Sequence, residues 1–223
     1  RTLSELHLAN MTWNDNFLKL FRRCIEAFRS GNSDYESYYT EDDLEFLASI
    51  GYKPRELFDF VEDLADAGEP TESTALLVAA VRRDYFNVMQ NGVLSEYEIT
   101  APELPAKNSE FDGITYLPRI IAKAEHKLRG ELDPNIMYSC GGDRNFLRNH
   151  GDIHPADFLR HVWAADGDIQ QVASMARNMV TRLGMSDLGP VALEGGSQEV
   201  FLGRDLMSRS EVSESISQQI DIQ

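Results

Sequence analysis

Apolar residues recur every three or four positions over most of the first 165 residues. In residues 15–28, for example, Phe17, Phe21, Ile25 and Phe28 fall on one helix face, and Gly31 follows as a stop. The same spacing predicts further helices at residues 41–50, 55–67, 72–89, 118–129, 143–149 and 155–164. No run in this part shows the clean alternation of a half-buried strand. We therefore expect an all-α region, with residues 91–113 as a long surface loop.

The pattern changes near Gly167. Residues 168–183 carry a strong apolar stripe, and Gly184 is placed to end that helix. Glycines on both sides of an apolar triplet in residues 191–203 predict a loop or short hairpin. Ser208 and Glu211 then have the spacing of a capping box, which predicts a last helix running towards Gln223.

These elements predict a mainly α protein in two parts. Residues 11–165 should form one helical domain, and residues 168–223 a second, partial helical segment with the loop or hairpin. Residues 1–10 are predicted to be a non-native leader, because Met11 offers a plausible start. The last helical pattern stops abruptly at Gln223, so we expect a fragment of a longer reading frame.

Charge and composition restrict the possible partners. The 223 residues carry a formal net charge of −16, which opposes binding to a phosphate backbone. The densest basic cluster, Lys123, Lys127 and Arg129, is interrupted by Glu125 and Glu131 and has the composition of a solvated helix face. We therefore predict no nucleic-acid partner. No run of about eighteen apolar residues predicts a transmembrane segment. Two cysteines, far apart, favour a reduced, cytoplasmic compartment.

The segment after Gly167 carries a series of motifs in a fixed order. They read GDIQQ at 167–171, MARNMV at 175–180, GMSDLGP at 184–190, EVFLGR at 199–204 and MSRSE at 207–211. This text closely resembles the peptidase domain of the FtsH family of ATP-dependent zinc metalloproteases, in the form found in oxygenic phototrophs. The resemblance covers about a quarter of the chain.

The resemblance implies a zinc mechanism and membrane-anchored hexamers. In that family, an H-E-x-x-H helix supplies two zinc ligands and a general base, and a later aspartate completes the site. That aspartate matches Asp168. The printed sequence contains neither H-E-x-x-H nor a G-x-x-x-x-G-K-[ST] phosphate loop. We therefore assign no catalytic or cofactor-binding residue, expect no zinc at the protease site of this chain, and favour a helix N-cap role for Asp168.

Residues 11–165 resemble a bacterial domain family of unknown function. The motifs that carry this resemblance are Trp13, FLASIG at 46–51, YLPR at 116–119, KLRGE at 127–131, CGGDR at 140–144 and HPADFL at 154–159. The resemblance implies a fold but no activity.

One cluster in this part has the residue types of a metal site. Cys140, Asp143, His150 and His154 lie within fifteen residues, and thiolate, imidazole and carboxylate groups bind zinc or iron. Cys140 beside two glycines at a helix start could also be an activated thiol. The structural alternative is that Asp143 caps a helix, His150 ends it and His154 precedes Pro155 at the next helix start. Both interpretations stay open.

Two functions follow from these observations. The first is a fragment of an FtsH-type protease joined to a helical domain and proteolytically inactive as this chain. The alternative is an intracellular binding or interaction module without enzymatic activity. One form of this alternative is a chimeric reading frame joined near Gly167. In the chimeric case we expect few contacts between the two parts and a loosely packed tail from Gly184. The oligomeric state does not follow from the sequence.

Overall fold

A computed structural model describes residues 12–182, with side-chain surroundings through residue 178. Its helices, in chain order, are α1 Trp13–Arg29, α2 Glu41–Ser49, α3 Pro54–Ala67, α4 Glu72–Val88, α5 Leu117–Arg129, α6 Gly141–Asn149, α7 Pro155–Ala165 and α8 Ile169–Arg182. Two short 3-10 helices, Tyr35–Tyr38 and Ala101–Glu103, and two strands, β1 Glu110–Phe111 and β2 Ile114–Thr115, complete the order. The prediction of a mainly α fold is confirmed.

Side-chain caps define several helix starts. Thr40 Oγ1 accepts a hydrogen bond from the Asp43 amide, and the Asp43 carboxylate accepts one from the Thr40 amide, which forms a capping box at the predicted start of α2. Thr12 and Asp15 do the same for α1. Pro54 occupies the first turn of α3, where its missing N–H costs nothing.

A glycine closes α5 at a tightly packed position in the left-handed region. Gly130 has a φ of +71°, in the left-handed region. A Cβ built on it would lie 2.5 Å from Nη2 of Arg82, a fully buried side chain on α4. The chain therefore turns tightly at the end of α5 against the middle of the fold.

Helices α1, α3, α4, α5 and α7 surround one hydrophobic core. Its fully buried members include Phe21 on α1, Leu57 on α3, Val78 on α4, Ile120 on α5 and Phe158 on α7. Helix α4 packs against α1, α3, α5 and α7 and so occupies the centre of this group of helices.

The expected loop at residues 91–113 contains more order than predicted. Strands β1 and β2 pair antiparallel, with Phe111 opposite Ile114, across a two-residue turn at Asp112 and Gly113. Ile99 also forms a parallel bridge with Leu132. Because each strand has only two residues, no alternation was available for the sequence pattern to show.

Helix α8 packs on the preceding domain. Val172, Ala173 and Ala176 are buried in the same core as residues of α5 and α7, with exposures of 2%, 0% and 0%. The expectation of few contacts between the two parts is therefore wrong for the described portion of the segment. The side chains that face this core are small, so the helix can approach its neighbours closely.

Several predictions lie outside the described residues: the leader at residues 1–10, the Gly184 cap, the loop or hairpin at residues 191–203 and the last helix from Ser208. Among residues 12–182, no helix combines the length and apolar character needed to cross a membrane.

Candidate functional site

Asp143 is the centre of a buried polar cluster at the start of α6. Its side chain is fully buried and accepts hydrogen bonds from three groups. Tyr116 Oη donates to Oδ1 over 2.8 Å, while the Ser139 amide, at 2.9 Å, and the Lys123 ammonium donate to Oδ2. A buried carboxylate needs this degree of compensation, because an unpaired charge in the interior is costly.

Lys123 links this carboxylate to the neighbouring cysteine. Its side chain is only 5% exposed, and Nζ lies 3.3 Å from Cys140 Sγ while it pairs with Asp143. Cys140 itself occupies the N-cap position of α6 and is partly buried. The thiol therefore has an ammonium group and a helix N-terminus as neighbours.

Tyr116 keeps its proton in this cluster. Burial, followed by the charge of Asp143 and the hydrogen bond to it, raises the pKa of the Tyr116 hydroxyl well above its usual range. The group is therefore a hydrogen-bond donor at physiological pH. The hydrogen bond to Asp143 holds the Tyr116 ring between α6 and the start of α5. The centre of this ring lies 5.8 Å from the centre of the Phe146 ring.

A second buried ion pair connects α3 and α5. Lys127 Nζ donates to Glu56 Oε1 over 2.9 Å, and the two side chains are 2% and 6% exposed. The ammonium also lies 4.1 Å from the centre of the Tyr52 ring, within reach of a cation–π interaction. Burial alone would raise the pKa of Glu56, but Lys127 and the Lys53 amide together lower it, which favours the carboxylate form. Burial lowers the pKa of Lys127, and Glu56 opposes that shift.

These two lysines correct the sequence prediction of a solvated basic face. Lys123 and Lys127 are 4% and 1% exposed. A signal was present: together with Ile120, Ala124 and Leu128 they occupy positions i, i+3, i+4, i+7 and i+8, which is one helix stripe. A lysine within an apolar stripe is buried only with a partner, and that partner is distant in sequence.

Asp59, one turn after Glu56, has a different environment. Burial raises the pKa of its carboxyl to about 7, although Arg55 Nε lies 3.0 Å from Oδ1 and opposes the shift. The group therefore changes charge in the physiological range, next to the Glu56–Lys127 pair.

The three candidate metal ligands make separate contacts. Cys140 lies beside Lys123. His150 ends α6, where its Nδ1 lies 2.8 Å from the Phe146 carbonyl oxygen and its ring stacks on that of Phe146. His154 caps α7, because its Nδ1 accepts a hydrogen bond from the Ala156 amide. His150 and His154 thus occupy the end of α6 and the start of α7, as the structural alternative predicted, but the N-cap of α6 is Cys140 and not Asp143.

No preformed metal centre gathers around these residues. Within the part of the chain that the structure describes, no group of three His, Cys, Asp or Glu side chains is spaced to hold an ion. Asp143, the fourth residue of the cluster, is committed to Lys123, Tyr116 and Ser139. Metal binding by Cys140, His150 and His154 stays a prediction.

Asp168, the aspartate matched to the protease zinc ligand, caps α8. Its Oδ1 accepts hydrogen bonds from the amides of Gln170, at 2.9 Å, and Gln171, at 3.3 Å. The N-cap interpretation is confirmed. The described surroundings do not fit a zinc site, since no further His, Cys, Asp or Glu side chains of the described residues are grouped with Asp168 to hold an ion.

The comparisons with known proteins concern the end of the chain. The family model of peptidase family M41 matches residues 160–223. The FtsH ATP-dependent zinc metalloprotease of Cyanidium caldarium is 54% identical over 59 residues, which are 26% of this chain and 10% of that protein. FtsH 3 of Synechocystis is 55% identical over 58 residues, 26% of this chain and 9% of that protein.

These matches place an FtsH-type peptidase segment at the C-terminal end. The matched stretch spans about a tenth of the length of the curated relatives. No solved structure matches the chain. The match begins within α7, so the family-like sequence includes part of the helical domain's own core.

Proposed function

We propose that this chain is an FtsH-type peptidase segment joined to a cytoplasmic helical domain, and that these 223 residues do not cleave peptide bonds. The observation that carries the proposal is the position of Asp168. The aspartate that would complete a zinc site instead binds two backbone amides at the start of α8. The printed sequence also lacks the H-E-x-x-H helix that would supply the other ligands and the general base.

The packing of α8 supports a structural use of this segment. Val172, Ala173 and Ala176 complete the core of the helical domain, so the start of the family-like sequence stabilises the domain before it. A binding role for that domain is the second candidate. It is favoured by a pocket that two arginines line between α4, α6 and α7.

A protease assay tests the proposal. The purified chain is incubated with an unfolded casein substrate, ATP and zinc, with an intact FtsH protease as the positive control. We expect no cleavage above the protein-free blank. Cleavage by the chain that a zinc chelator abolishes would overturn the proposal.

A matched variant makes the assay specific. Asp168→Asn keeps an N-cap acceptor but removes the negative charge that a zinc ligand provides. We expect the variant and the wild-type chain to behave identically in the assay and in thermal unfolding. Loss of activity in the variant without loss of stability would assign Asp168 a catalytic role.

A further inference from the structure

A pocket of about 250 Å³ lies at the N-termini of α4 and α7, against one face of α6. Its apolar part is formed by Leu147 and Ile153, which are 1% and 5% exposed. Its polar part is formed by side chains of both signs. The pocket is therefore large enough for a small molecule that has one charged end and one apolar end.

Two arginines, one helical turn apart on α6, face the same point. Arg148 places Nη1 3.0 Å from Oε2 of Glu69 and Nη2 3.3 Å from Oε1. Arg144 places Nε 3.5 Å from Oε1 of the same carboxylate. A planar guanidinium recognises a carboxylate through paired N–H donors, so the position of the Glu69 carboxylate marks an anion position built by this chain.

Glu69 does not satisfy that position completely. Arg144 is nine-tenths buried, its Nη1 is held by Asp63 and the Ser139 carbonyl oxygen, and its buried Nε has no hydrogen-bond partner. The Glu69 side chain remains 41% exposed, so it can turn into water without losing much burial. A free anion is not tethered to the backbone, so it can align with both guanidinium groups better than the Glu69 carboxylate does.

Neutral donors and two helix N-termini extend the site. The Ala156 amide donates to Nδ1 of His154, so Nε2 carries the ring proton and points to Thr74 Oγ1 at 3.3 Å. Thr71 caps α4, a helix of 17 residues, and His154 caps α7, a helix of 11 residues. Both helix dipoles favour a negative charge at this end. Asp152 on the rim opposes a second negative charge.

We propose that this pocket binds a small organic acid. Its single carboxylate replaces that of Glu69 between Arg144 and Arg148, and its short apolar part lies on Leu147 and Ile153. Glu69 is then a competitor supplied by the chain, which keeps the site closed to weak anions. This assignment deepens the second candidate function above by naming the ligand class of the helical domain.

Titration of the full chain with butyrate, followed by amide NMR shifts, tests the proposal. We expect saturable shifts at residues of the pocket, with a Kd in the millimolar range. Glu69→Gln removes the competing charge and should tighten binding at least fivefold. Arg148→Met removes the exposed half of the clamp and should weaken it at least tenfold. Arg22→Met is the matched control, because Arg22 forms a similar surface pair with Glu72 and neither residue lines the pocket.

Each result decides the assignment. Equal butyrate binding by wild type, Glu69→Gln and Arg148→Met, all folded by circular dichroism, would overturn it. Inorganic phosphate forms the second arm: saturation by phosphate but not by butyrate would also overturn it, because the apolar part would then play no role. A failed titration would not change the result expected in the protease assay, and cleavage in that assay would not bear on ligand binding in the pocket.

Discussion

Lys127 on α5 and Glu56 on α3, 71 residues apart in the chain, form an ion pair of 2.9 Å in the interior of the domain. The pair does not stand alone, since Tyr52 lies against the ammonium and Asp59 follows one turn later on α3. Two charged groups removed from water stabilise a fold only when both are present. The pair links α5 to α3 through the interior of the fold.

Removal of only one partner of this pair should destabilise the fold. Lys127→Met leaves the Glu56 carboxylate buried without its cation, and we expect a loss of about 3–5 kcal/mol in the free energy of unfolding. The double variant Glu56→Leu/Lys127→Met should recover part of that loss, because no charge then remains unpaired. Urea denaturation measures both. Arg22→Met is the control. The Arg22 side chain is 59% exposed in its pair with Glu72, so this change should alter the free energy of unfolding little. If the losses measured for Glu56→Leu alone and Lys127→Met alone added up to the loss in the double variant, the two side chains would not be coupled.

The Asp59 carboxyl should make the stability depend on pH. Its pKa is about 7 in the folded chain and about 3.9 when unfolded, so between these values the folded state holds a proton that the unfolded state has released. Stability should therefore fall by about 2–4 kcal/mol as pH rises from 4 to 7, from this group alone. Asp59→Asn should remove this component.

Chemical denaturation at pH 5 and pH 8 measures the effect. The gain in stability from Asp59→Asn over wild type should be larger at pH 8 than at pH 5. Asp84→Asn, on a side chain that is 60% exposed, is the control. A gain that is equal at both pH values would show that Asp59 is ionised throughout.

The packing of α8 predicts that this helix contributes to the stability of the domain. Val172→Ala removes two buried methyl groups at a position that is 2% exposed, and we expect a loss of about 1–3 kcal/mol. Gln171→Ala, at the exposed neighbouring position, should be neutral. Thermal and urea unfolding of the full chain give the comparison. Equal stability of the two variants would mean that α8 does not dock.

Metal content provides a separate test of the Cys140, His150 and His154 group. Since their side chains face Lys123, the Phe146 carbonyl and the Ala156 amide, binding an ion would require all three to leave their partners. Elemental analysis of protein purified without added metal should find less than about a tenth of an equivalent of zinc or iron. One equivalent, lost in Cys140→Ser, would establish a metal site instead.

Local signals predicted most helix boundaries, and long-range pairing accounts for what they missed. The helix starts predicted at residues 41 and 55 lie within one residue of those of α2 and α3, where Thr40 and Pro54 act locally, within one turn. The hairpin had a signal too, since Asp112 and Gly113 form the Asp-Gly turn of a two-residue hairpin. It was missed because each strand has only two residues.

The polar cluster required information that a sequence pattern does not hold. Arg144 meets Asp63 across 81 positions, and no spacing rule brings them together. Such partners depend on how whole helices pack. The sequence therefore predicted a helix cap at Asp143, whereas α6 begins at Gly141 with Cys140 as its N-cap, and it missed the contact of Asp143 with Lys123.

Docking of α8 also has a mechanical consequence. The polypeptide continues beyond Arg182 from a helix whose inner face, at Val172, Ala173 and Ala176, is held between α5 and α7. Tension applied to the chain after Arg182 is therefore transmitted to the core of the domain through that inner face. A machine that pulls on the C-terminal end would therefore load the contacts of α8 with α5 and α7 first.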